Sequence, residues 1–483
     1  MLWLALYLPH LSLEVASRGA RSQAPLAIAV PDGQRQRVHA RNRAAAAAGV
    51  RPGLAVNAAL ALCPALRILP RDEAAEAEAL GRLAAWAGQF TSWISLQPPA
   101  GLLLEIGASL RLFGGLEALS GRIGDGLQAL GYRARPGTAP TPLGAWWLAR
   151  AGRREPVTDL PALSRALHAL PLGVLELSDK ARGELRGLGL RRLGDCVRLP
   201  RAGLAKRFGP GFVDDLDRAF GLRPDPRPRF APPERFESRL ALPAEVDDSA
   251  ALIFAARRLL LELCGFLLAR GAGVSSVELR LGHHKAPPTS LHLGLVAPTR
   301  DPDRLLGLLR ERLERAPLTA PVEQLTLHAD RPQALAARPA TLFDKDDNEN
   351  TDWPHLVERL RARLGEEAVT GLCPRDDHRP EHAWRPCPPG STKTRRNPAP
   401  LPDGLRPLWL LEQPAALRLV NGRPWLDGEL RLRRGPERIE SGWWDDFEAR
   451  RDYFIAENDR HERYWIYRDL KQDGTWFVQG IFG

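Results

Sequence analysis

Apolar positions fall in short, separated runs through the first third of the chain. Residues 2–8 form an unbroken apolar run that predicts a buried strand, and residues 26–30 predict a second. Residues 41–50 are Ala-rich and predict a helix, ended by Gly49 and the Pro52-Gly53 turn. Further helices are expected over 54–62, 73–93, 115–130 and 142–151, with a strand over 102–106. Strands interleaved with helices place this part among α/β or α+β folds. From 171 to 220 the pattern changes to short helices joined by basic turns. Residues 223–235 carry repeated prolines, which exclude regular helix or central strand and predict a tether.

The next segment is more regular. Residues 235–242 predict a strand, and Asp247, Asp248 and Ser249 can cap a helix reaching about residue 270. Val277, Leu279 and Leu281 alternate with Glu278 and Arg280, and Leu291, Leu293 and Leu295 repeat the alternation. Pro302, after Asp301, opens another helix to about 315, and 322–327 closes the set as a strand. The order β-α-β-β-α-β is the split βαβ arrangement, one four-stranded sheet with two helices on one face and the other face free for a partner. Residues 328–352 read as loop, 352–364 as an amphipathic helix, and 388–404 as a Pro- and Gly-rich linker. Residues 405–483, dense in Trp and Tyr, read as a compact β-rich module.

Composition narrows the partner. The 483 residues carry a net charge of +10, mostly through Arg, and the pI is about 9.8. Arg pairs well with phosphate, so nucleic acid is the first partner to consider, against the plainer explanation of a GC-rich coding sequence. Five widely spaced cysteines argue against a disulfide framework and for a reducing compartment. The apolar start lacks a basic leader and is interrupted by Pro9-His10. The apolar stretch 250–268 contains Arg257, Arg258 and Glu262, as a buried helix does and a membrane span does not. No membrane partner is expected, and the location is read as cytoplasmic.

The stretch from Val38 to Leu54, followed by Leu62-Cys63-Pro64, resembles the fingers segment of Y-family DNA polymerases in content and spacing. That register exposes the active site. Phosphoryl transfer to a primer end needs paired metal ions held by carboxylates. The family's first-strand Asp falls on Ala5, and its later Asp-Glu pair falls on Ala100 and Gly101. The Tyr and Arg that reach the incoming triphosphate fall on Arg43 and Ala46. Ala and Gly cannot hold a divalent ion. Glu14 and Glu105 remain and read as structural or solvated. This loss, with the segment 377–385 and the C-terminal stretches 435–444, 451–454 and 476–483, resembles the ImuB family, the polymerase-like subunit of a bacterial mutagenesis complex. The resemblance implies palm and fingers over 1–165, a helix-hairpin-helix thumb over 166–221, a linker over 222–234 and a little finger over 235–331. A clamp-peptide loop, short helix and linker would occupy 332–404, and a partner-docking module 405–483.

The thumb of such a protein grips DNA phosphates. Arg191, Arg192, Arg201, Lys206 and Arg207 are the expected contacts, although a solvated basic face has the same composition. The family's first Gly-x-Gly hairpin falls on Glu176-Leu177-Ser178, a departure that puts that grip in question. Thr341, Leu342 and Phe343 resemble a sliding-clamp peptide, with Pro339 in place of its Gln; the alternative is a Leu-Phe pair tucked into its own domain. Cys373, His378, His382 and Cys387 are four zinc-capable ligands at non-standard spacing, yet the resemblance implies neither metal nor cofactor. Trp443, Trp444, Trp476 and Phe477 are expected to combine core packing with partner docking. By resemblance the partners are primer-template DNA, the sliding clamp, an error-prone C-family DNA polymerase and a RecA-like accessory protein. The implied function is a non-catalytic scaffold for translesion synthesis within the SOS response. The alternatives are a Y-family polymerase with a relocated metal site and a plain DNA-binding module without clamp contact.

Overall fold

The computed structural model describes residues 1–18, 24–316, 318, 320–329, 331–335, 348–390, 405–445, 447–471 and 473–483. It divides into two compact units, Met1–Arg363 and Leu364–Gly483.

The first unit is built on an antiparallel sheet ordered Ile94–Gln97, Gly101–Glu105, Trp3–Tyr7, Arg135–Ala139. Both faces are covered, which explains the unbroken apolar run at the N-terminus. Successive strand side chains point to opposite faces. Leu4, Leu6, Leu102 and Leu104 therefore pack with Leu80, Leu83, Leu119 and Ile123 from the helices Glu73–Ala87 and Leu116–Leu130. Trp3, Ala5 and Leu103 pack on the other face with Trp146, Leu148 and Ala149 of the helix Pro142–Ala151. Thr141 caps that helix, accepting from the Gly144 N–H at 3.2 Å, and Gly152 ends it at φ 71°. A separate three-stranded sheet, Arg35–Arg41, Leu26–Asp32 and Arg67–Pro70, carries the helices Arg43–Ala47 and Val56–Leu62 around a small core of Ala27, Val38, Ala45, Ala59 and Cys63.

The helices Leu160–His168, Asp179–Gly187, Leu193–Val197, Arg201–Phe208 and Pro210–Ala219 share the core on the Pro142–Ala151 side of the first sheet. The proline-rich segment that follows has no regular structure, as expected, but it is not a loose tether. The Phe230 N–H donates to the Ile94 carbonyl at 2.7 Å, Arg227 donates to Gln97 at 2.9 Å, and the Leu143 N–H donates to Asp225 at 3.2 Å. Prolines remove donors, yet the residues between them keep theirs, and these pin the segment along an edge strand.

The split βαβ unit is present, with antiparallel strands ordered Ala286–Thr299, Ala272–His283, Val322–Ala329, Phe236–Val246; the short strand Gln333–Ala334 adds a fifth. Its helices, Ser249–Leu268 and Pro302–Leu313, bury leucines against Val277, Leu279, Leu281, Leu325 and Leu327. The helix Asn348–Leu364 begins earlier than the sequence suggests. It docks through buried Glu358, which accepts from the Val296 N–H at 2.7 Å and pairs with Arg304 at 2.6 Å.

Helix Ser249–Leu268 also packs on helix Glu73–Ala87. A Cβ placed on Gly265 would lie 2.2 Å from the Trp86 ring, so the two helices meet at van der Waals contact. Beside this contact Arg18 and Glu262, each 2% exposed, form an ion pair. Ser238 donates to the same Glu262 carboxylate, and Arg82 lies 3.7 Å away.

The second unit is an antiparallel sheet ordered Trp409–Ala416, Trp476–Ile481, Arg463–Asp469, Ala449–Glu457, Arg431–Ser441, with a small hairpin, Arg418–Val420 and Arg423–Trp425. It also includes a hairpin, Gly371–Pro374 with Trp384–Cys387, inside the segment expected to be helix and linker. Among the described residues no helix is long and apolar enough to cross a membrane.

Candidate functional site

The polymerase-like active site would sit on the first sheet. Cross-strand register pairs Tyr7 with Gly101 and Ala5 with Leu103, so Ala5, Tyr7, Gly101 and Leu103 share one face. Ala100 packs toward the core on the opposite face. Ala5 is fully buried under helix Pro142–Ala151. The space in front of Gly101 is filled: an ideal Cβ there would stand 2.3 and 2.5 Å from Cζ3 and Cη2 of Trp146. That indole is 2% exposed. Its Nε1–H donates to Glu176 Oε1 at 3.3 Å, and it meets the Tyr7 ring edge-on with centroids 5.4 Å apart. Arg150 donates to the same Glu176 oxygen at 2.7 Å and lies 5.9 Å over the Tyr7 ring. Trp146 was not singled out from sequence. The adjacent Trp146-Trp147 pair was the available signal, but a contact between positions 101 and 146 exists only in the folded chain.

The two retained carboxylates are engaged elsewhere. Glu105 Oε1 accepts the N–H groups of Leu2 at 3.2 Å and Gly107 at 3.1 Å. Glu14 accepts the Arg133 N–H at 3.1 Å, and burial pushes its carboxyl up to about 7 against that hydrogen bond. Nearby His10 is held below the usual imidazole range by burial and by Arg135, Arg133 and Arg41. Arg43 is exposed at the start of its helix, which Asn42 caps through Ala45 N at 3.0 Å, and Ala46 is half-buried. Arg41, Arg133 and Arg135 thus make the surroundings of His10 cationic.

The five basic residues expected on the helical segment are all exposed but differ in their partners. Arg191 and Arg192 form the turn between helices Asp179–Gly187 and Leu193–Val197. Their backbone N–H groups donate to Asp195 at 3.0 and 2.9 Å and lower the pKa of its carboxyl. At this turn the two backbone N–H groups are already satisfied, and the Arg191 and Arg192 side chains are exposed. Arg201 pairs with Asp217, and Arg207 lies 3.5 Å from Glu184. Lys206 is exposed in the last turn of its helix.

The expectation of unpaired cysteines is corrected in one place. Cys373 and Cys387 form a disulfide, with Cα atoms 5.8 Å apart, because antiparallel pairing of Gly371–Pro374 with Trp384–Cys387 brings the two ends of the hairpin together. Two sulfurs bonded to one another are not thiolate ligands, so in this state Cys373, His378, His382 and Cys387 do not form the tetrahedral set considered from sequence. Cys63, Cys196 and Cys264 are free and buried. Among the described residues the one group of three close metal-capable ligands is Glu245, His284 and Glu323, with ligand atoms within 4.8 Å of one another. These residues are exposed or half-exposed and belong to the split βαβ unit, not to the strands carrying Ala5, Ala100 and Gly101.

The four aromatic residues expected to dock partners fall into two classes. Trp443 and Trp444 are 78% and 58% exposed, beside Phe447 at 73%, whereas Trp476 and Phe477 are half-buried against the module's core. The exposed loop is anchored by Arg379, a residue that sequence reading passed over. Its guanidinium is 2% exposed and pairs with Asp377 at 2.8 Å and Asp445 at 2.7 Å. It also donates to the Phe447 carbonyl at 2.9 Å. Hydrogen bonds from Arg379 hold the Asp377 carboxyl down at about 2. Thr341, Leu342 and Phe343 lie outside the described residues.

A family profile described as impB/mucB/samB matches residues 11–150. Solved structures of similar course include an insertion ternary complex of Dbh DNA polymerase, 15% identical with a TM-score of 0.40 over 69% of this chain and 100% of that one. Another is DinB from Sulfolobus solfataricus, also 15% identical, with a TM-score of 0.39 over the same shares. Protein ImuB of Caulobacter vibrioides (strain NA1000 / CB15N) is 31% identical over 464 residues, which span 90% of this chain and 100% of that protein. At that identity and near-complete coverage, the chain belongs to the ImuB family.

Proposed function

We propose that this protein is a non-catalytic, DNA-bound scaffold for error-prone translesion synthesis. It holds primer-template DNA through its basic helical segment. It joins the sliding clamp, through Leu342 and Phe343, to an error-prone C-family polymerase and a RecA-like accessory protein gathered by the C-terminal module. The observation that carries the reading is the state of the first-sheet cleft. Ala5, Ala100 and Gly101 stand where metal ligands would be required, and the retained Glu14 and Glu105 accept backbone N–H groups instead. Two-metal phosphoryl transfer needs carboxylates that bridge and fix both ions. The net charge of +10 supports a sequence-independent hold on phosphates.

The second reading, a polymerase with a relocated site, finds its support in Glu245, His284 and Glu323. Primer extension with Mg²⁺ or Mn²⁺ separates the two. The scaffold reading expects no incorporation. Incorporation that disappears in Glu245→Gln/Glu323→Gln establishes the enzyme instead. Clamp pull-down with Leu342→Ala/Phe343→Ala tests the adaptor arm, and unchanged retention removes that peptide from the proposal.

A further inference from the structure

We infer that Trp146 seals the former active-site cleft and turns it into a fixed joint between the first sheet and the helical segment. The inference rests on the non-catalytic reading and extends it from missing ligands to missing space.

Three features carry it. First, position 101 has no room for any side chain. Its Cβ would meet the indole at 2.3 Å and the Gln97 carbonyl oxygen at 3.0 Å. The indole is the middle of a buried, hydrogen-bonded ring contact, not the movable end of a flexible chain, so it cannot step aside cheaply. Second, the helix bearing Trp146 is seated on the sheet by its backbone. A Cβ on Gly137 would lie 2.4 Å from both the Ala145 carbonyl oxygen and the Ala149 nitrogen. Ala5 lies directly beside Gly137 in register and is fully buried by the same helix. Third, the acceptor that holds the indole is Glu176. The polymerase resemblance expects a phosphate-gripping glycine hairpin at 176–178, and this chain instead has a carboxylate bound to Trp146 and Arg150. The position that lost a metal ligand and the position that lost a phosphate grip therefore meet through one side chain. Tyr7, Trp146, Glu176 and Arg150 close a ring of contacts linking the strand Trp3–Tyr7, the helix Pro142–Ala151 and the segment after Leu172–Val174. A carboxylate restored at position 101 would meet the Trp146 ring at its first carbon, before it could reach an ion.

Two measurements on the full chain test this. In a double-mutant cycle read by thermal unfolding, Gly101→Ala is expected to lower the melting temperature by several degrees beside Trp146 and by clearly less in a Trp146→Leu background. Equal losses in both backgrounds overturn the sealed contact. Mn²⁺ binding, followed by electron paramagnetic resonance, then compares Ala5→Asp/Ala100→Asp/Gly101→Glu with and without Trp146→Ala. Binding only when the indole is removed is expected, and the same Mn²⁺ response in both variants overturns the seal. Nucleotide incorporation by the unmodified chain would sink the scaffold reading itself. Equal losses in the cycle without incorporation would sink only the role of Trp146.

Discussion

Removing the Glu262 side chain is the most direct probe of how the split βαβ unit is held to the first sheet. Glu262 and Arg18 are each 2% exposed. The carboxylate also accepts from Ser238, and Arg82 lies 3.7 Å from it. Glu262→Ala leaves the Arg18 guanidinium buried without its counter-charge, against the Tyr132 ring 5.0 Å away. Breaking one side of a buried pair costs roughly 3–5 kcal/mol. At roughly 1.3 °C per kcal/mol for a unit of this size, the melting temperature should fall by about 4–7 °C. The double variant Arg18→Met/Glu262→Leu should lose less than Glu262→Ala alone, because apolar replacement of a buried pair is often near neutral. Linkage adds a pH signature. Burial opposes the Glu262 charge, but Arg18 and Arg82 outweigh it and hold its pKa below the usual carboxylate value. A depressed folded pKa stabilises above the unfolded value, about 4.3, and that contribution disappears as pH falls through the folded value. Calorimetry of the wild type and both variants between neutral and acid pH checks this. A Glu262→Ala melting temperature within a degree of wild type, or a double variant worse than the single one, would refute the reasoning.

Other outcomes follow from the same structure. DNA affinity should fall steeply with salt, and Lys206→Ala should flatten the log–log slope by about 0.9 if its ammonium contacts one phosphate; fluorescence anisotropy on primer-template across a salt series reads this, and an unchanged slope removes Lys206 from the contact set. Arg379→Met should destabilise the C-terminal unit and alter the near-ultraviolet circular dichroism of the Trp443-Trp444 loop, because Asp377, Asp445 and the Phe447 carbonyl all lose the guanidinium that donates to them. The Asp377 carboxyl, held at about 2, makes that anchor persist at neutral pH and weaken only as pH falls from about 4 toward 2. Reduction of Cys373–Cys387, 14 residues apart, should cost about 3 kcal/mol by loop-closure entropy. Thiol counting after denaturation without reductant should find three free cysteines, and five would remove the bridge.

Local chemistry was largely legible along the chain. The apolar run at the N-terminus, the alternation through Val277–Leu281 and Leu291–Leu295, and the caps at Asp248 and Asp301 are short-range signals, and they mark the sheet strands and helices where they occur. The absence of a carboxylate at Ala5, Ala100 and Gly101 was also readable, because a side chain's functional group is a property of residue identity. Pairing across long sequence separations was not. The seating of Trp146 over Gly101, the Arg18–Glu262 pair 244 residues apart and the Arg379–Asp445 bond 66 residues apart carry no periodic trace. The two ends of the disulfide hairpin were visible as cysteines but not as partners. Steric fit and buried charge pairing are settled only when distant segments are brought within a few ångström. For this protein, therefore, residue identity determined that no carboxylate stands at positions 5, 100 and 101, and tertiary packing decided that the Trp146 ring stands against Gly101.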